Sequence, residues 1–139
     1  MLSQSLQQHT NIQDYILRVW QITNRIGFKE KHTPYGDRNG WIDLLLIYKD
    51  KKIGVEIDKR LPKLKSIEKV NQYDVSILIE RRKQTAFHKL DARIKNLKNE
   101  YIVILLPEQI IMTNMDKNGE LYRFFNGIMI LCKHYIMRY

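Results

Sequence analysis

Cysteine occurs once in the 139 residues, at Cys132, which leaves no partner for an internal disulfide and no cysteine-based metal site. Proline occurs three times and glycine six, and they gather into no linker, repeat or low-complexity segment that would divide the chain. The longest apolar runs, around Leu44–Ile47 and Ile102–Leu106, fall far short of the ~20 residues that cross a bilayer. No signal-peptide pattern opens the sequence, so the expectation is a cytoplasmic protein with no membrane partner. The four histidines show no HxH or HExxH spacing, and no GxxxxGK[ST] or GxGxxG occurs, which argues against a histidine metal site and against nucleotide binding. Acidic residues are scarce too. Fifteen of them face 24 Lys and Arg, for a formal charge of +9 and a pI near 9.7. A field of that sign favours polyanions.

Hydrophobic residues make up 44% and charged residues 28%, an ordinary globular balance, and the length suits one domain over 1–139. "NIQDYILRVWQITNRIG" spaces Ile12, Ile16, Val19, Thr23 and Ile26 as a helix stripe, with Thr10 or Asn11 as cap and Gly27 as stop. "HTPYGDRNG" is a loop. Strands are expected over about 41–48 and 53–58, joined as a hairpin through "KDKK". Pro62 ends the second strand, and "KLKSIEKVNQ" supplies one or two helical turns. "DVSILIE" is a buried strand, "TAFHKLDARIKNLK" a helix with Phe87, Leu90, Ile94 and Leu97 on one face, and "YIVILL" a further strand ending at Pro107. "IIMTNMDKNGELYRFF" carries a hairpin signal at Asn118-Gly119, and the last stretch, "NGIMILCKHYIMRY", suits a strand or a helix. The expected order is α-β-β-α-β-α-β, a mixed β-sheet flanked by helices in an α/β fold.

The hairpin "GWIDLLLIYKDKKIGVEIDKR" plants Asp43, Glu56 and Asp58 among residues that a sheet buries. A carboxylate in such surroundings is costly without a partner. Alternation puts Glu56 and Asp58 on one face and Ile57 and Lys59 on the other. With Lys49 paired to Lys52 around a two-residue turn, Asp43 lies across from Asp58, and Glu56 opposes Leu45 one diagonal step from Asp43. Three acids on one patch either raise a pKa or demand a cation. Mg²⁺, or Mn²⁺ in its place, prefers such oxygen ligands, keeps several waters and binds substrate phosphates. An ion held there activates a water and stabilises the leaving oxygen of a phosphodiester.

These residues resemble the PD-(D/E)XK nuclease superfamily, whose restriction endonuclease-like core runs α-β-β-β-α-β. That core carries an acid on one strand, a second acid on the next, and a Lys two residues later. "GWID" supplies the first acid as Asp43 and "VEID" the second as Glu56, and the likeness spans roughly residues 12–80. The lysine position holds Asp58, with Lys59 one place later. The resemblance implies Asp43 and Glu56 as metal ligands, Asp58 as a third ligand or a water-orienting base, and Lys59 as a catalytic candidate only if a bulge turns it inward. Small resolvase-type and mobile-element members are usually dimeric, so it also implies a homodimer.

Two basic clusters follow the acids. Arg60, Lys63 and Lys65 lie just past the second strand, and Arg81, Arg82 and Lys83 just past the third. Residues of these types contact phosphates. Two functions are therefore expected: a metal-dependent DNA endonuclease, or a catalytically inactive module on the same fold that binds nucleic acid or protein, as Asp58 in the lysine position suggests.

Overall fold

The computed structural model describes residues 3–82 and 87–135. The elements run α1 (Gln4–Ile22), β1 (Gly27–His32), β2 (Trp41–Tyr48), β3 (Lys51–Asp58), α2 (Leu64–Val70), β4 (Val75–Glu80), α3 (Phe87–Ile94), β5 (Glu100–Leu105), β6 (Ile110–Thr113) and α4 (Glu120–Tyr135). The six strands form one mixed sheet in sequence order. β1, β2 and β3 are an antiparallel meander, β4 and β5 join parallel through the α2 and α3 crossovers, and β6 turns back antiparallel. The chain is thus an α/β fold with helices on both faces.

Each strand face meets its own helices. Leu44, Leu46, Ile53, Val55, Ile77 and Ile104 pack with Ile12, Ile16 and Trp20 of α1 and with Phe125 and Met129 of α4. Leu45, Leu78, Val103 and Leu105 pack on the other side with Ile67 and Val70 of α2 and Leu90 and Ile94 of α3. This double coverage explains why "VSILIE" reads as an unbroken apolar run, for β4 is buried from end to end. Gly54 serves the same packing, since a Cβ there would come within 2.7 Å of both Ile42 Cδ1 and Tyr73 Cδ2.

Three expectations about the elements are corrected. α1 begins at Gln4 rather than beside Thr10 or Asn11, because Ser3 caps it by accepting from the Leu6 amide at 3.1 Å. Ser3→Ala is expected to lower stability by ~1 kcal/mol in denaturant melts. α1 also ends before Gly27: Asn24 turns left-handed (φ 62°) and Gly27 opens β1. That strand was not anticipated, because as an edge its "GFKEKH" is exposed along nearly its whole length and shows no apolar alternation. The expected hairpin at Asn118-Gly119 is instead a turn that starts α4. Asp116 takes the Asn118 amide on Oδ1 and the Gly119 amide on its carbonyl, at 2.9 and 3.0 Å. The antiparallel partner of β5 is β6, reached through a turn containing the cis Leu106–Pro107 bond. The final segment is a helix through Tyr135.

Candidate active site

The β2–β3 hairpin closes on Tyr48 and Lys51, with Lys49 left-handed (φ 55°) in the two-residue turn. The register therefore lies two residues from the expected one. A two-residue shift keeps every side chain on its face, and its effect is to align Asp43 with Glu56 rather than with Asp58. The backbone ladder ends at Leu44–Val55. Beyond it the strands part, and Asp43 Oδ2 reaches across to take the Ile57 amide at 2.7 Å. That amide sits between Glu56 and Asp58. The first acid is thereby fastened beside the other two.

Four further groups hold this corner. On α1, Gln13 Nε2 donates to the Asp43 carbonyl at 2.8 Å, and His9 Nε2 lies 3.3 Å from Asp43 Oδ2. On α2, Ser66 Oγ donates to Asp58 Oδ1 at 3.3 Å. Lys69 Nζ lies 2.9 Å from Glu56 Oε1 and donates to the Trp41 carbonyl at 3.0 Å. Lys69 and Glu56 are both buried. A cation was what the buried acids required, and the chain brings its own.

One lysine does not neutralise the cluster. Burial, then the charge of Asp43, pushes the Glu56 carboxyl up to about 8 against the opposing pull of Lys69. Burial also raises Asp58, less the effect of Ser66. Asp58 Oδ2 is buried and makes no hydrogen bond among the described residues. At neutral pH most Glu56 carboxyls thus keep their proton.

An open cleft of about 420 Å³ leads to Asp43, lined by Glu30, Trp41 and Asp43. Glu30 opposes Asp43 where β1 is distorted by a left-handed backbone (φ 54°). The donor set suits Mg²⁺ in kind, because that ion takes one or two carboxylates and fills its remaining positions with water and phosphate oxygens. It is no closed cage: among the described residues, no three of His, Cys, Asp and Glu are grouped to hold a metal ion.

The remaining candidates fall elsewhere. Lys59 is exposed past the end of β3, and the cations that act most strongly on the acids are Lys69 and Lys63. Arg60, Lys63 and Lys65 are exposed on the segment that leaves the site and begins α2. Arg81 is corrected as a surface phosphate contact. It is buried, with Nη1 donating to the Ser5 carbonyl at 2.7 Å and to Gln8 Oε1 at 3.0 Å, and it ties β4 to α1. Arg82 is half-buried, its amide donating to the Lys59 carbonyl at 2.9 Å. Lys83 lies outside the described residues.

Sequence reasoning missed His9, Gln13, Glu30 and Lys69. For α1 a signal existed, since Gln8 continues the Ile12–Ile16 spacing and a polar residue on an apolar stripe marks a buried contact. For Lys69 there was none that distinguishes it from Lys63 or Lys65.

Comparison with known proteins finds no family model, no curated protein and no solved structure that matches this chain. Among the described residues, no helix is long and apolar enough to cross a membrane.

Proposed function

We propose that the protein is a metal-dependent DNA endonuclease of the restriction endonuclease-like type. The observation that carries the reading is the splayed end of the β2–β3 hairpin. There Asp43, Glu56 and Asp58 converge, and a buried lysine faces the second acid. The order α1-β1-β2-β3-α2-β4, with β4 parallel to β3, also follows the core of the superfamily that the motif resembles. The departure at Asp58 gains an explanation. The amine missing from β3 is supplied by Lys69 of α2, which reaches Glu56 from the helix above the strand.

In this reading Asp43 and Glu56 would hold a Mg²⁺ ion, which would supply Lewis acidity and a water of lowered pKa. Asp43 is oriented by the Ile57 amide and His9. Asp58 orients the water or takes its proton. Lys69 sits where an ammonium counters the charge that develops on phosphate oxygens. Arg60, Lys63 and Lys65 hold the backbone beyond the site, a contact that carries position rather than sequence.

Incubation with plasmid, linear and branched DNA in Mg²⁺ or Mn²⁺ tests the proposal. Cleavage is expected, and it should fall to background in Asp43→Ala and Glu56→Ala. Cleavage that both variants retain would refute the assignment. A non-catalytic nucleic-acid module is the second reading, favoured by the Lys69–Glu56 contact, in which the chain's own ammonium meets the second acid. It calls for salt-sensitive binding that needs no divalent ion and is unchanged in Glu56→Gln.

A further inference from the structure

Trp41 is 54% exposed although it is one of two tryptophans in the chain; the other, Trp20, is fully buried. Trp41 opens β2 and pairs with His32, the last residue of β1, and their rings lie 5.3 Å apart at 59°. Asn39 Oδ1, 3.4 Å from His32 Nε2, steadies the histidine from the connecting loop. Trp41 also stands two residues before Asp43, a strand advance of ~7 Å, and both side chains line the same cleft. Its carbonyl accepts from Lys69, so the backbone that carries the indole is fastened to the amine facing Glu56.

A lone exposed apolar residue needs no explanation. Here the Trp41 indole offers its flat face at the mouth of the cleft that leads to Asp43, with the His32 ring tilted beside it, in a chain of charge +9. A flat π-surface beside a phosphate-handling site matches one ligand chemistry, a nucleobase attached to its phosphate. Within a duplex both faces of each base are already covered by its neighbours. Only an unpaired or flipped base can lie on such a shelf.

We infer that the Trp41 indole, braced by His32, is the shelf that stacks an unpaired base beside the acidic site, so that the preferred substrate is single-stranded DNA or DNA with an unpaired nucleotide next to the bound phosphate. This rests on the nucleic-acid reading above and specifies its substrate class. The phosphates leave the shelf towards the exposed cations of the Lys59–Lys65 segment beyond β3.

The test is binding of the full chain to an oligothymidylate of about a dozen nucleotides, in chelator and without divalent ion, beside a fully paired blunt-ended duplex of mixed sequence. Intrinsic fluorescence reports the exposed indole. The single strand is expected to quench Trp41 emission and to bind more tightly than the duplex. Trp41→Ala should weaken single-strand binding about tenfold and leave duplex binding unchanged, while Trp41→Phe keeps most of the affinity. The half-exposed position makes both variants compatible with the fold, which far-UV circular dichroism checks. Single-strand affinity unchanged in Trp41→Ala overturns the inference, as does an equal loss on both ligands or no binding to either. Mg²⁺ cleavage assays separate this from the parent reading. Stacking on Trp41 without any cleavage leaves the shelf standing and the nuclease refuted. Cleavage that depends on Asp43 but is indifferent to Trp41 and to strandedness does the reverse.

Discussion

Lys69→Met is expected to destabilise the protein by ~1 kcal/mol near pH 6 and by ~1 kcal/mol more near pH 9. The ammonium lies 2.9 Å from Glu56 Oε1, with side-chain exposures of 10% and 5%. Its loss strips the acid of the cation that lowers its pKa, while burial and Asp43 continue to raise it. Near pH 6 Glu56 escapes by keeping its proton, and what remains is mainly the lost hydrogen bond to the Trp41 carbonyl, ~1 kcal/mol. Near pH 9 the natural protein ionises Glu56 against Lys69, whereas the variant must hold the proton above the natural value, at ~1.4 kcal/mol per pH unit. Adding Glu56→Gln removes the ionisable group, so the double variant should recover most of the alkaline loss. Urea unfolding at both pH values gives the answer. A cost independent of pH, or none recovered in the double variant, would show that the contact contributes packing rather than charge compensation.

Strand alternation read from the sequence placed Asp43, Glu56 and Asp58 on one side of the hairpin, and this survives because the register lies an even number of residues from the expected one. The register itself was not legible. "YKDKK" offers no Asn-Gly or Asp-Gly to pin the turn, and Lys49 adopts the left-handed conformation without being glycine. Partners distant in sequence were hidden for a different reason. Lys69 becomes special only when α2 lies across β3, and His9 only when α1 is laid against the splayed strands. Arg81 shows the converse error. Beside Arg82 and Lys83 it reads as part of a solvated cluster, yet it is β4 geometry that turns it inward to Ser5 and Gln8. β1 went unseen because an exposed edge strand has only backbone pairing to announce it. Charge composition and buried strands are local properties. The acidic corner is made of contacts between residues far apart in the chain.

Glu56→Gln is expected to make the protein less sensitive to alkali, with a gain over the natural chain that grows from about pH 4.5 to about pH 8. The folded-state pKa is pushed up to about 8 from an ordinary 4.5, by burial first and Asp43 second. Over that interval the folded protein holds a proton that the unfolded chain releases, so stability is full below the lower value and is lost as pH rises through the upper one. The loss is on the order of 5 kcal/mol across the interval. Asp58 is raised by burial and acts with the same sign, but it is present in both proteins and cancels in their difference. Glutamine imitates the protonated carboxyl beside Lys69 and cannot ionise, so the two proteins should differ least in acid. Chemical denaturation of both across this range measures the gap, and parallel curves would mean that Glu56 titrates at an ordinary value. If the gap opens as expected, an ionisable group that costs stability sits where an uncharged one would not. Its place there is what the proposed role as a cation ligand would account for, since glutamine offers no charge to hold one.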